Sequence, residues 1–188
     1  PLIDIIIPVY NGERFVCEAI DSVRKQTHQN VRIIVVNDGS TDGSREKILA
    51  LAGQLPNLVF IDRPHCGVSA TLNTALEHTR ADWIAFLDCD DKYLPEKLTR
   101  QVNMMENNQC ALCYGSVIVI NEDGAQIRKN IVTDKHGHIF DQLLLKYEIN
   151  MQTVMIRRNI LTENSLSFDT KLQFSPDYDL FMRIAAEH

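Results

Sequence analysis

The sequence predicts an α/β fold with a mostly parallel central sheet flanked by helices. Short apolar runs, most of them rich in Val and Ile, recur at residues 4–9, 31–36, 58–61 and 83–87, each of strand length and bounded by turn residues. Between them, apolar residues recur at helical spacing, as in Phe15, Ala19, Ile20 and Val23, so strands alternate with helices and right-handed crossovers follow. Carboxylates crowd the ends of two of these strands: Asp38 follows the second, and Asp88, Asp90 and Asp91 follow the fourth. Ligands bind at the carboxyl ends of parallel strands in open α/β sheets.

The first strand, 4–9, is apolar on both faces, as a central strand covered by helices must be. It ends at Pro8-Val9-Tyr10-Asn11-Gly12, a turn, and a helix runs on to about Lys25. The second strand runs into Asn37-Asp38-Gly39-Ser40-Thr41-Asp42-Gly43-Ser44, rich in helix caps and in glycine. Ile48, Leu49 and Leu51 belong to the helix after it. The third strand leads through Arg63-Pro64-His65-Cys66-Gly67-Val68-Ser69 into a helix holding Leu72, Ala75 and Leu76. After the fourth strand, a helix beyond Pro95 holds Leu98, Val102, Met104 and Met105, the Met pair reading as core filler. Residues 112–120 read as one strand, Glu122-Asp123-Gly124 as a hairpin turn, and 125–131 as its antiparallel return. Short helices are expected at 140–145 and 158–162 and a strand at 153–156. Ser175-Pro176-Asp177-Tyr178-Asp179 reads as the capped start of a last helix. The reading is one continuous domain, with a ligand-binding half at 1–91 and a mixed-sheet half at 92–188.

A chain of 188 residues, 45% hydrophobic, suits one domain with a sizeable core. The net charge of −6 argues against nonspecific nucleic-acid binding, which needs a basic face. Cysteines 17, 66, 89, 110 and 113 are odd in number and irregular in spacing, which favours a reducing compartment over a disulfide framework. Cys110-x-x-Cys113 leads into an apolar strand and reads as structural; His136-x-His138 reads as a surface loop. No signal peptide or membrane-spanning run is visible. The chain opens on Pro1 and ends inside a helical pattern, as a piece truncated at its C-terminus would, so membrane association is expected only through segments outside it.

Three carboxylates within four positions resist ionising together. A divalent cation relieves that, and hard oxygen ligands suit Mn2+ or Mg2+. The working expectation is that the fourth strand end holds a metal and the metal holds a phosphate. The bland alternative is a solvated acidic turn. Neither a Gly-x-Gly-x-x-Gly after the first strand nor a phosphate-binding Gly-x-x-x-x-Gly-Lys-Ser/Thr is present.

Five segments taken together resemble family 2 glycosyltransferases. They are Pro8-Val9-Tyr10-Asn11-Gly12, Val36-Asn37-Asp38-Gly39-Ser40-Thr41-Asp42, Gly67-Val68-Ser69-Ala70-Thr71-Leu72-Asn73-Thr74-Ala75, Phe86-Leu87-Asp88-Cys89-Asp90-Asp91 and Asp177-Tyr178-Asp179-Leu180. The resemblance implies the GT-A fold and inverting transfer of a sugar from a nucleotide-diphosphate sugar, typically a UDP-sugar. The acceptor would be a saccharide or a lipid-linked glycan, in cell-envelope polysaccharide synthesis, and the setting the cytoplasm or the cytoplasmic face of a membrane. It further implies that Pro8, Val9 and Tyr10 line the nucleotide pocket and that Asp38 accepts a hydrogen bond from the base. Asp88 would contact ribose or metal, Asp90 the metal, and Asp177 would be the catalytic base. A metal-bound carboxylate is a poor base, so a separate acid far along the chain is needed; Asp179 is the rival. Leu72 stands where the family often has Arg, and Pro176 where it commonly has Glu. Two other readings are a catalytically silent nucleotide- or glycan-binding domain and a sugar-phosphate nucleotidyltransferase; for the latter, Asn11-Gly12-Glu13-Arg14 is a poor match to the glycine-rich basic loop.

Overall fold

The computed structural model describes residues 1–132, 136–172 and 174–188. Its main sheet has six strands. β1 (Ile3–Val9), β2 (Val31–Asp38), β3 (Leu58–Arg63) and β4 (Trp83–Phe86) are parallel, with β1 between β2 and β4. β8 (Met155–Arg157) joins β4 antiparallel, and β5 (Leu112–Cys113) pairs antiparallel with β8 at the edge. The full order is β3-β2-β1-β4-β8-β5.

Period-two alternation explains the two cores. Along β1, Ile3, Ile5, Ile7 and Val9 face one layer and Ile6 the other. The first layer packs α1 (Val16–Arg24), α2 (Ser44–Ala52) and α4 (Lys97–Asn108) through Ile20, Ile48 and Leu98. The second packs α3 (Val68–Glu77), α6 (Arg158–Glu163) and α7 (Pro176–Glu187) through Leu72, Leu161 and Leu180. Phe86 contacts Phe168 and Phe181 edge-on in that second layer. At the end of the sheet away from the acidic loops, buried Asp4 takes a bidentate hydrogen bond from Arg32 and accepts the Arg80 and Ala81 N–H groups. These bonds hold its carboxyl below the ordinary value although burial pulls the other way.

Two expectations are corrected. Residues 112–120 form two strands: β5 stays in the main sheet, and β6 (Val117–Ile120) leaves it to pair with β7 (Gln126–Asn130) in a separate hairpin. Gly115-Ser116 interrupts the apolar run, and its two halves find different partners on either side of that break. Ser175 makes no side-chain capping bond to α7; it takes a left-handed conformation, φ +50°, and Pro176 opens the helix. A short helix, α5 (Phe140–Leu145), stands at its expected place.

Candidate active site

The ends of β1, β2 and β4 bring three loops together. Asn11 N–H donates to Ser40 Oγ and Thr41 N–H to Asn11 Oδ1. The Gly43 N–H donates to the Glu13 carboxylate, and Glu13 N–H to Asp42. The loop after β1 is thereby stitched to the loop after β2. Gly12 closes the other side: a Cβ there would stand 2.7 Å from Cys89 Sγ, so only hydrogen fits against the acidic loop.

Asp38 closes β2 and is buried. Its two carboxylate oxygens accept the N–H groups of Cys66 and Gly67 at 3.0 and 2.9 Å. His65 Nδ1 lies 2.9 Å from Oδ2 and Arg63 Nε 3.6 Å from Oδ1. Asp38 therefore orders the loop that opens α3. The same loop presses the His65 ring onto Tyr10, with centroids 4.3 Å apart. Both side chains stay about half exposed, making an exposed aromatic platform among the loops at the carboxyl ends of β1 and β3. His65 escaped the sequence reading because an isolated His in a turn carries no periodic or spacing signal.

The acidic loop follows β4. Tyr93, buried behind it, donates its hydroxyl to the Phe86 carbonyl, and Ser22 Oγ accepts the Tyr93 N–H. Asp88 is half-buried and Asp90 exposed. Burial first, then the charges of Asp91, Asp90 and Asp177, push the Asp88 carboxyl up to about 7. Burial and Asp90 likewise raise Asp91, which accepts a hydrogen bond from Gln152. Asp177, at the start of α7, thus lies within electrostatic reach of the acidic loop despite its distance along the chain. Tyr147 stands between α5 and α7, stacked edge-on against Tyr178. Its phenol is raised by burial and by Asp177, and its buried hydroxyl has no hydrogen-bond partner among the described residues. Gln152 and Tyr147 are further site residues that sequence patterning did not single out. Asp179 is engaged elsewhere, in a 2.6 Å ion pair with Arg183.

Among the described residues, no Lys, Arg or His forms an ion pair with Asp88, Asp90, Asp91 or Asp177. No three His, Cys, Asp or Glu side chains among them gather as a metal cage. A cation held by one or two carboxylates and completed by substrate phosphates needs no such cage. The uncompensated oxygens of Asp88 and Asp90 fit that type of site.

The sequence model for glycosyl transferase family 2 matches residues 4–170. An E. coli protein named UDP-Glc:alpha-D-GlcNAc-diphosphoundecaprenol beta-1,3-glucosyltransferase WfgD is 32% identical over 187 residues, covering 100% of this chain and 71% of the relative. An uncharacterized glycosyltransferase of Rickettsia felis is 32% identical over 190 residues, covering 98% of this chain and 31% of its own length. The chain thus spans about a third of that rickettsial relative. Among solved structures, S. aureus TarS in complex with UDP superposes with a TM-score of 0.77 at 21% identity, over 98% of this chain and 55% of that one. Mannosyltransferase PcManGT from Pyrobaculum calidifontis, with GDP-Man and Mn2+, superposes at 0.71 and 20% identity, over 97% and 51%. These likenesses show the GT-A fold, and with the family match across most of its length the chain belongs to glycosyl transferase family 2.

Proposed function

We propose that this chain transfers a sugar from a nucleotide-diphosphate sugar, a UDP-sugar, to a hydroxyl of a lipid-linked glycan acceptor, with inversion at the anomeric carbon. The observation that carries the reading is the electrostatic contact between the acidic loop after β4 and Asp177 at the start of α7. Carboxylates from distant parts of the chain thereby lie within electrostatic reach of one another. Naming UDP and a lipid-linked acceptor rests on likeness: the names of TarS bound to UDP and of WfgD supply the classes.

The donor base stacks on the Tyr10–His65 platform, against Pro8 and Val9, while Asp38 holds the platform's loop and offers its remaining lone pairs to the base. Asp88 and Asp90 face the donor diphosphate and would hold Mn2+ or Mg2+ there, which when bound neutralises charge on the departing phosphates. Asp177 takes the proton from the acceptor hydroxyl. The acceptor oxygen then bonds to the anomeric carbon as that carbon's bond to the diphosphate oxygen breaks, through an oxocarbenium-like transition state. Attack opposite the leaving group inverts the centre, and the nucleoside diphosphate departs with the bonding pair. The reaction would take place at the cytoplasmic face of a membrane, where a lipid-linked acceptor resides. No helix among the described residues is long and apolar enough to cross a membrane.

A thermal-shift screen of nucleotide sugars with Mn2+ present, followed by an assay of UDP release with acceptor, tests this. A donor that binds the native state raises the melting temperature by mass action. Tight metal-dependent binding without UDP release over a broad donor and acceptor panel would instead identify a silent binding domain.

A further inference from the structure

Helix α7 has two apolar faces. Leu180, Phe181 and Ile184 face the core. On its outer side lies a cavity of about 500 Å³, walled by Phe140, Leu172, Phe174, Tyr178, Met182 and Ala186. That volume is in the range of small-molecule sites, which are mostly apolar with few polar groups. The polar groups here are Ser175, Asp179 and Arg183. Phe174 is 83% exposed, a large aromatic ring for which the described residues provide little cover. Tyr178, the neighbour of Asp177 in the chain, is part of its wall. From there it follows the helix to Ala186, about 12 Å on at 1.5 Å per residue.

Arg183 is the one cation among the lining residues. Its Nε and Nη2 bond Asp179, and Nη2 also donates to the Ser167 carbonyl. These bonds fix the guanidinium plane and leave the two Nη1 donors without a partner among the described residues. A guanidinium so oriented suits a phosphate oxygen.

We propose that this cavity binds the hydrocarbon chain of a lipid-diphosphate acceptor, with Arg183 contacting its diphosphate. The inference rests on the lipid-linked acceptor reading and gives it a place: sugar at Asp177, diphosphate at Arg183, tail along the outer face of α7. It also gives Asp179 a role, as the residue that positions Arg183.

The test is calorimetric titration of farnesyl diphosphate, and of inorganic diphosphate, into the full-length protein with UDP and Mn2+ saturating, so that the donor site is filled. Farnesyl diphosphate should bind at least tenfold more tightly than inorganic diphosphate. Phe174→Asp, which puts charge on the wall, and Ala186→Trp, which fills the cavity, should each weaken farnesyl diphosphate at least tenfold. Both positions are exposed, and retained UDP affinity certifies the fold of each variant. Equal binding of the two probes by the parent, or parent-like farnesyl diphosphate binding by either variant, would overturn the proposal. Absence of sugar transfer to every acceptor would sink the transferase reading instead, and leaves this titration readable.

Discussion

The imidazole of His65 lies stacked on the phenol ring of Tyr10, while its Nδ1 stands 2.9 Å from a carboxylate oxygen of Asp38. One acidic side chain at the end of β2 thus sets an aromatic surface built from two other loops. Asp38→Ala removes the acceptor of the Cys66 and Gly67 N–H groups. It should cost about 1–3 kcal/mol in total for the two hydrogen bonds lost to a charged acceptor, and UDP affinity should fall with it. Urea unfolding and UDP titration measure the two effects. Wild-type stability in the variant would refute the ordering role.

His65→Ala tests the platform apart from the loop. Asp38 keeps its two backbone donors in this variant, so folding stability should stay close to the parent. UDP binding should weaken by about 1–3 kcal/mol, the range found when a base loses an aromatic stacking partner. Unchanged UDP affinity would show that the base lies elsewhere.

Asp90→Ala should leave the fold intact, because Asp90 is exposed and makes no structural hydrogen bond among the described residues. Metal-dependent binding of UDP should disappear. The check is a pair of UDP titrations, with Mn2+ and with a chelator, which differ for the parent and coincide for the variant.

Asp177→Asn should bind donor like the parent and transfer sugar roughly 10²- to 10⁴-fold more slowly, the usual contribution of a general base. Parent-like turnover would return the base role to another group.

Lys97 makes stability depend on pH. Its ammonium is buried, its nitrogen has no hydrogen-bond partner among the described residues, and it lies 4.0 Å from the Tyr93 ring centroid. Burial lowers its pKa from 10.5 to about 7. Between those values the unfolded chain binds more protons than the folded one, so stability rises with pH; below about 7 both forms are protonated and the penalty is complete. Burial pushes the Cys89 and Cys113 thiols up from 9.0, to about 11 and about 12, which acts in the opposite sense above pH 9. The clean window is therefore pH 7 to 9. Lys97→Met should be more stable than the parent at pH 7, by an amount on the order of a few kcal/mol, and should show a flatter slope across that window in urea unfolding. A parallel slope would remove Lys97 as its source.

Much of the architecture was legible because it is local. The Ile and Val runs of β1 and β2, and the helical spacing of Phe15, Ala19, Ile20 and Val23, report apolar faces directly, and those faces fold as expected. The acidic corner after β4 was legible because its residues are neighbours in sequence. The separation of β5 from β6 was not read, since the Gly115-Ser116 interruption does not say which strand each half will meet.

The chain's local chemistry settled that a parallel sheet forms and that its strand ends carry carboxylates: alternation, turn residues and like charges act over a few positions. Folding alone assigned partners to those groups. Asp38 turned inward to loop amides, His65 came to rest on Tyr10, Asp179 was drawn to Arg183, and Asp177 came within the field of Asp88. Those pairings join segments far apart in the chain, and a contact of that kind exists only once the intervening backbone has packed.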